Sequence, residues 1–521
     1  MSLNLATMLR EAARSNPNKP AILYDGGQIT YRELDQLTDH VAASLRREGI
    51  GPHDAVAVQV PNLPHFVIAY FAILKNGSVV VPLNVLLKSR EIDHQLRDSD
   101  SRALITWSGS LDEAARGAAE AGVDQIFVVT LPGEPPPATG RPVEELLSGP
   151  APMRSVLEPT EPGDPAVIVF TSGTTGRPKG AELTHFQLYM NAEIPGRLFG
   201  ILPDDVVMVV LPLFHVFGLS SELNICVRFG ATMSLVPRFT PDKVLEVIQR
   251  DAVTVFEGVP TMYIALLNHP DAERYDLSTL RVAISGGAPL PAEVLDDFET
   301  RFGVTILEGY GLTETASTTS FNISAEERKI YSVGKPIWGV EVEIWDEQGQ
   351  PQHPGSQHVG EIVVRGVNTM RGYYRNPEAT DEAFAGGWFH TGDLGYVDED
   401  GYLFIVDRKK DLVIRGGYNV YPREVEEVLY THPKVAEAAV VGIPHPRLGE
   451  ELKAYVQLKP GSSLGEEELI AFTKERLAAY KYPRVIEFWD ELPKLATGKI
   501  AKEPLREHAR GAAPAGSRAS A

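Results

Sequence analysis

The sequence predicts an α/β fold: a large N-terminal domain of α/β sheet subdomains plus a small β-rich subdomain, followed by a small α+β C-terminal domain. Three observations predict it. Apolar runs at 56–60, 79–82, 103–106 and 126–130 alternate with amphipathic stretches of helical period, the pattern of a mostly parallel sheet. From 334 to 404 the spacing shortens and fills with glycine and β-branched residues, which marks a β-rich unit. Beyond Lys410 a compact βα pattern begins again.

The elements follow in order. Residues 4–50 read as helix, short strand, helix, and Thr30 with Glu33 has the spacing of a capping box at the second helix. The Pro/Gly-rich stretch 132–142 is expected to separate two subdomains. The run 166–170 reads as a buried strand, and a second α/β set follows at 207–211, 232–235, 254–257 and 282–284. Residues 407–414 are charged and then apolar. A helix at 422–429, strands at 435–442 and 452–458, and a helix at 466–477 come next. The expected domains are 1–409 and 410–505, with a hinge near Lys410. Residues 506–521, rich in Ala, Gly, Ser and Arg, are expected to be a disordered tail.

Composition narrows the function. The 521 residues carry 49 basic and 70 acidic side chains, a net charge of −21, which argues against a general nucleic-acid binder. The one cysteine, Cys226, permits no intrachain disulfide and reads as a small core residue rather than a nucleophile. The N-terminus lacks a basic start followed by a long apolar run, and the most apolar stretch, 66–74, is too short for a membrane span. The last residues do not form a peroxisomal tripeptide. A cytoplasmic protein with no transmembrane segment is expected.

The densest chemistry lies in Thr171-Ser-Gly-Thr-Thr-Gly-Arg-Pro-Lys-Gly180. A strand leading into a loop of glycines, hydroxyls and a lysine brings backbone amides and a cation to a polyphosphate. The glycines let the backbone approach the anion. The spacing is not that of a Walker A loop. A mobile surface loop would not need so ordered a pattern.

The decapeptide closely resembles the phosphate-binding segment of the adenylate-forming superfamily: acyl-CoA synthetases, amino-acid adenylation domains and beetle luciferases. The resemblance runs in order from about Ile29 to about Leu505 and is greatest to bacterial fatty acyl-CoA ligases. It implies that Thr171, Ser172, Gly173, Thr174, Thr175, Gly176 and Lys179 cradle the phosphates of ATP.

Later segments fit the same frame. Ser285-Gly-Gly-Ala-Pro-Leu290 follows a strand, and the resemblance gives Gly286, Gly287 and Ala288 the adenine pocket. Glu308-Gly-Tyr-Gly-Leu-Thr-Glu314 supplies a stacking ring, a hydroxyl and a carboxylate. Mg²⁺ is held by one or two carboxylates with phosphate oxygens, so Glu314 is the expected metal ligand, with Thr171 beside it. Tyr310 is expected on adenine and Thr313 at the α-phosphate, with Glu308, Gly309 and Gly311 completing the nucleotide site. Otherwise Glu314 would be a solvated acid or a helix N-terminal charge. Asp393, in Trp388-Phe-His-Thr-Gly-Asp393, takes the ribose hydroxyls and Arg408 adds a second ribose contact by the same resemblance; alone, each would read as a surface ion pair.

Lys499, in Leu495-Ala-Thr-Gly-Lys-Ile500, corresponds to the lysine that the family's mobile C-terminal domain carries in for adenylation and swings out afterwards. In similar bacterial enzymes it is also a target of lysine acetyltransferases. Lys410 matches the hinge. Gly416, Gly417 and Tyr418 match the loop that faces the pantetheine tunnel in the second state; a plain β-turn is the bland alternative. His215, Phe217 and Gly218, with Val259 and Tyr263, resemble the acyl-pocket walls, although a lone His on an apolar face is more often a core residue. Residues 211–221 hold no acid, which favours an uncharged carboxylic acid over an amino acid.

The resemblance therefore implies an ATP-dependent acyl-CoA synthetase using Mg²⁺, ATP and coenzyme A. Lys499, Thr171, Lys179, Glu314 and His215 would carry the chemistry. A medium- or long-chain fatty acid is the expected substrate, ahead of an aromatic or arylalkanoic acid. An acyl-AMP ligase serving a carrier protein is disfavoured because no carrier domain is evident. A non-catalytic nucleotide-binding module would be expected to have lost Lys179, Glu314, Asp393 or Lys499. The oligomeric state stays open between monomer and homodimer.

Overall fold

The computed structural model describes residues 2–150, 152, 155–171 and 178–511. Two large sheets form the frame of the N-terminal region. One orders eight strands: Gly372–Tyr373, Lys179–Thr184, Pro165–Thr171, Val79–Pro82, Ala55–Gln59, Ser101–Trp107, Gln125–Val129 and Arg141–Pro142. The other orders nine. Its centre is the parallel run Ile306–Tyr310, Val282–Ser285, Val255–Gly258, Val206–Val209 and Thr232–Leu235. These parallel strands are buried on both faces and mostly apolar, as strands covered by helices on either side must be, with Glu257 and Glu308 as buried exceptions. The capping box at Thr30 is present: Glu33 Oε2 accepts from the Thr30 N–H at 2.8 Å, and Thr30 Oγ1 accepts from the Glu33 N–H at 3.3 Å.

One expected boundary is corrected. The stretch 132–142 does not divide two subdomains, because Arg141–Pro142 pairs with Gln125–Val129 and the chain then returns to the same sheet at Pro165–Thr171. The prolines and glycines make a surface excursion from one edge. The β-rich region is an antiparallel sheet of Val340–Trp345, Gly360–Gly366, Phe389–Val397 and Leu403–Arg408.

After a turn at 409–411 the C-terminal unit builds its own core on the long hairpin Val435–His445 and Gly449–Leu458. The helices Pro422–Tyr430 and Glu466–Arg476 pack on it, and Val485–Phe488 joins the sheet in parallel. The tail expectation is corrected in part: 506–511 belong to the helix Lys502–Gly511. Leu505 is fully buried beneath it, Tyr455 donates its hydroxyl to the Leu505 carbonyl at 3.0 Å, and Arg506 pairs with Asp411 at 2.5 Å. Residues 512–521 lie outside the described residues.

Candidate active site

The expected phosphate side is built by an antiparallel pair. Pro165–Thr171 runs into the glycine loop and Lys179–Thr184 runs out of it, with Thr171 opposite Lys179. Ser172, Gly173, Thr174, Thr175 and Gly176 lie outside the described residues. The two ends converge on Glu314. Thr171 Oγ1 donates to Glu314 Oε1 at 3.2 Å and the Tyr373 hydroxyl donates to the same oxygen at 3.0 Å. Lys179 Nζ stands 5.1 Å from the centre of the Tyr373 ring. Burial and the Glu314 charge both push the Tyr373 phenol up, so it keeps its proton and donates. Tyr373 was not singled out from the sequence. It arrives through tertiary pairing, Tyr373 opposite Ala181 at the edge of the eight-stranded sheet, and the dipeptide Tyr373-Tyr374 gives no local sign of it.

The residues expected at the nucleoside gather at the carboxyl ends of the central strands of the second sheet, where ligands bind in open α/β sheets. Tyr310 ends one strand, and its hydroxyl donates to Asp393 Oδ2 at 2.6 Å. Arg408 Nε lies 3.1 Å from Asp393 Oδ1, set by the cross-strand pairing of Asp393 with Arg408. Asp393 is buried, which pushes its carboxyl up, while the Arg408 charge pulls it down. Glu308 is not aimed at a ligand: it is buried and accepts from the Leu290 N–H at 3.2 Å, bracing the loop that carries Gly286, Gly287 and Ala288. Gly286 lets the Phe217 ring lie flush, since a Cβ there would stand 3.0 Å from that ring. Gly309 passes the Phe321 ring as closely, and Gly311 passes the Ser317 carbonyl. Thr313 opens the one-turn helix Thr313–Thr315 that presents Glu314.

Lys499 reaches this cluster from the C-terminal unit. Its loop is a tight turn closed by Leu495 N to Lys499 O at 2.7 Å and Gly498 N to Leu495 O at 2.8 Å. The turn docks where Thr261 Oγ1 donates to the Gly498 carbonyl at 2.7 Å. The Lys499 side chain lies over Gly287, whose φ is +80°. Burial, and then the Arg408 charge, pull the Lys499 ammonium down to about 8, with Asp393 opposing them. His215 is held neutral, pushed down to about 3 by burial and by Lys499, and its Nδ1 accepts from the Phe217 N–H at 3.2 Å.

Two predictions arise here. A lysine lowered to about 8 is cationic below that pH and loses its charge above it. The kcat/KM of any step that needs the cation therefore has a plateau at neutral pH and an alkaline limb near pH 8, since kcat/KM reports the free enzyme. Arg408→Gln removes a neighbouring positive charge and moves that limb to higher pH; a limb that stays put in a pH–rate series disproves the assignment. Gly287→Ala places a Cβ 2.7 Å from Lys499 Cε. It also forces an L-residue to left-handed backbone, which costs about 1–2 kcal/mol. The lysine tip must swing away, and acyl-AMP formation is expected to fall on the order of 10- to 10²-fold. Thermal unfolding and pyrophosphate release measure the two effects.

On the acyl side Phe217 stands between the two large cores, and Val259 packs against the positions of Gly287 and Gly498. Gly218 allows a close approach to the Leu211 and Pro212 carbonyls. Tyr263 is a correction. It is fully buried, donates its hydroxyl to the Ile284 carbonyl at 2.7 Å and wedges edge-on between Phe256 and Phe298, so it supports the pocket from the core instead of lining it. Gly416, Gly417 and Tyr418 lie on the turn between Val413–Arg415 and Tyr418–Val420. Gly416 bonds to the Leu448 carbonyl and Tyr418 stacks on Tyr480, both within the C-terminal unit. In this arrangement it is the Lys499 loop, not this turn, that meets the nucleotide cluster. Lys410 is exposed in the turn joining the two units.

Comparison with known proteins matches this geometry. The AMP-binding enzyme model aligns with residues 9–374 and the AMP-binding enzyme C-terminal domain with 424–499. A long-chain-fatty-acid–CoA ligase of Bacillus subtilis is 38% identical, over 96% of this chain and 94% of that one. A feruloyl-CoA synthase of an Amycolatopsis species is 39% identical, over 95% and 96%. The crystal structure of the anthranilate CoA ligase AuaEII with anthranoyl-AMP superposes with a TM-score of 0.92 at 30% identity, covering 98% of each chain. With both units matched, and the Lys499 turn seated on the nucleotide cluster, the chain belongs to the AMP-binding enzyme family.

Proposed function

We propose that the chain is an AMP-forming acyl-CoA synthetase, an acid–thiol ligase. A carboxylate oxygen attacks the α-phosphorus of ATP and pyrophosphate leaves. The thiol of coenzyme A, its proton lost to solvent, then attacks the acyl carbonyl and AMP leaves. The observation that carries this reading is the convergence of Lys499 from one unit with Tyr310, Asp393 and Arg408 of the other. Such a site acts by positioning and charge rather than by covalent catalysis. Lys499 supplies a cation where the acyl carboxylate and the α-phosphate meet. Asp393 accepts from the ribose hydroxyls. Thr171, Lys179 and the glycine loop hold the phosphates.

The donor set at Glu314 suits Mg²⁺. Mg²⁺ needs only one or two carboxylates besides phosphate oxygens, and Glu314 offers one beside the Thr171 hydroxyl. Glu314, aided by Thr171, would hold it, and the ion would neutralise phosphate charge. For the second step, the glycine turn at Gly416, Gly417 and Tyr418 would replace the Lys499 loop after rotation at Lys410. Acetylation of Lys499 would remove its charge and stop the first step alone. A cytoplasmic setting, where ATP and coenzyme A are both at hand, fits this reading, and among the described residues no helix is long and apolar enough to cross a membrane.

The acid has an apolar body, as Phe217 and Val259 require. Likeness to the Bacillus ligase supports a fatty acid, and likeness to the Amycolatopsis and anthranilate enzymes supports an aryl acid. Pyrophosphate release with ATP and Mg²⁺ across a panel of carboxylic acids, with and without coenzyme A, tests the reading. Release stimulated by coenzyme A, with thioester seen by mass spectrometry, is expected. A single stoichiometric burst that coenzyme A cannot turn over would indicate a carrier-protein ligase instead.

A further inference from the structure

The helix Pro422–Tyr430 opens the C-terminal unit, and nothing local completes its first turn. Proline stands at its first position, and Tyr421, at the cap position, makes no side-chain bond to the free N–H groups. The missing acceptor comes from across the unit boundary. Asp407, on the strand Leu403–Arg408 that precedes the pivot, accepts from the Arg423 N–H at Oδ2, 3.0 Å away. A carboxylate there also meets the positive end of the helix dipole.

The side chain of the same residue reaches back. Arg423 is 8% exposed, and its guanidinium donates through Nη1 to the Ile405 carbonyl at 2.5 Å and through Nε to Glu427 Oε1 at 3.2 Å. Asp407 is buried beside it and also accepts from the Arg408 N–H at 2.7 Å. Burial pushes the Asp407 carboxyl up, while the Lys502 charge and the Arg423 N–H pull it down. Lys502, at the start of the last helix, pairs with Glu426 at 2.7 Å. Glu308, which braces the loop of Gly286 and Gly287, is pushed up to about 7 by burial, and the charge that opposes this most is Arg423.

These contacts share one property. Ile405, Asp407 and Glu308 lie before Lys410 in the chain, and Arg423 and Lys502 lie after it. Rotation at Lys410 would break every bond between the two groups, leaving a carboxylate, a helix N–H and a guanidinium without these partners. Other buried pairs behave differently. Arg415 with Glu451, and Arg506 with Asp411, lie wholly within the C-terminal unit and turn with it. Among the described residues Arg423 makes no bond to Tyr310, Asp393, Arg408 or Lys499, so it acts on the candidate site only through the seat of the C-terminal unit.

Resting on the synthetase reading above, we propose that Arg423 is a positioning residue for adenylation: with Asp407 and the Ile405 carbonyl it forms a clasp across the pivot that holds the C-terminal unit where Lys499 meets the reacting groups.

The test measures the two half-reactions separately in the full chain, with the acid that the panel above ranks first. Pyrophosphate release with ATP and Mg²⁺ reads the first, and thioester formation from the matching acyl-AMP and coenzyme A reads the second. Arg423→Met keeps an apolar stem and removes the guanidinium. Its kcat for pyrophosphate release is expected to fall about 10- to 10²-fold, the loss of a buried charged hydrogen bond expressed as a shift in population. KM for ATP should stay within about twofold, since no nucleotide contact is lost. Thioester formation from supplied acyl-AMP is expected to hold or to rise, because the freed unit reaches the second arrangement more often. Arg423→Lys, which restores a charged donor, is expected to recover part of the first step. Equal loss of both half-reactions in an Arg423→Met protein that unfolds at the wild-type temperature overturns the proposal, as does wild-type behaviour in both. A raised KM for ATP with kcat unchanged would put Arg423 in nucleotide binding and overturns it too. Should Arg423→Met not fold, Asp407→Asn, nearly isosteric but uncharged, decides from the other side of the clasp, with the same split expected. Each of these failures leaves the synthetase reading intact. A wild type that forms thioester with no acid removes that reading, and this proposal with it.

Discussion

Lys499→Ala is expected to abolish acyl-AMP formation while largely sparing thioester formation from supplied acyl-AMP. Two features argue for so selective a loss. The first is place. Lys499 is carried on a turn of the C-terminal unit and touches the rest of the site at Gly287, Val259 and Thr261, where the acyl carboxylate must meet the nucleotide. A preorganised cation there is worth most as charge develops, and removing one such group costs on the order of 10²- to 10³-fold. The second is energetics. The lowered pKa of Lys499, to about 8, means that the fold disfavours its charged form. Replacing it with alanine removes a desolvated charge, so no loss of stability is expected. Thermal unfolding of the variant should match the wild type, with pyrophosphate release reduced on the order of 10³-fold. Attack of coenzyme A on preformed acyl-AMP asks nothing of a cation at the α-phosphate of ATP and should stay within about threefold, as for an interaction made in the other transition state only. Equal loss of both half-reactions would remove Lys499 from its assigned step.

Most of the frame was legible because its signals are local. The parallel strands are short β-branched runs, and Thr30 with Glu33 is a spacing that either closes a capping box or does not. The residues that the structure gathers at the candidate site were legible in the same way, since Tyr310, Glu314, Asp393 and Lys499 each sit in a distinctive short segment. What was not legible depends on tertiary pairing. Tyr373 gains its role from lying at a sheet edge beside Lys179, 194 residues earlier in the chain. Tyr263 sits in a segment that resembles a pocket wall, yet its side chain points into the core, and periodicity alone does not decide which face of a short helix is wet. The same limit hid the buried acids Glu222 and Glu257. Residues 211–221 hold no acid, but Glu222 is the next residue and a π-helical turn brings it inward, while Glu257 comes from a strand that reads simply as buried. The run 132–142 misled for a related reason. Proline and glycine mark an exit from a sheet and do not say whether the chain returns to it.

Lys410→Pro is expected to give the opposite phenotype: acyl-AMP formation retained and thioester formation lost. Lys410 lies in the turn between Leu403–Arg408 and Val413–Arg415, with its side chain in solvent. The N–H groups around it are engaged: Lys409 to the Gly392 carbonyl at 2.9 Å, and Asp411 and Leu412 to the Arg408 carbonyl at 2.9 and 3.2 Å. Lys410 itself donates no backbone hydrogen bond in this turn, so proline removes none. What proline does is fix its own φ near −65° and restrict the preceding residue, the torsions that a rotation between the units must change. The arrangement seen here is held by contacts that the substitution does not touch: Arg423 N to Asp407 Oδ2 at 3.0 Å, and Thr261 Oγ1 to the Gly498 carbonyl at 2.7 Å. Adenylation, which uses this arrangement, should therefore stay within a few-fold. Thioester formation needs the glycine turn at Gly416 in place of the Lys499 loop and should fall on the order of 10²-fold, the cost of holding a group out of position. Lys410→Ala, which leaves the torsions free, should behave as wild type in both steps. Loss of both steps in Lys410→Pro would place the pivot elsewhere or show that proline does not fit the turn, and the alanine variant does not rescue the hinge assignment in that case. Paired with Lys499→Ala, the outcome separates mechanism from stability: a damaged fold lowers both half-reactions together, whereas two substitutions that each remove a different one require a single active site served in turn by two faces of the C-terminal unit.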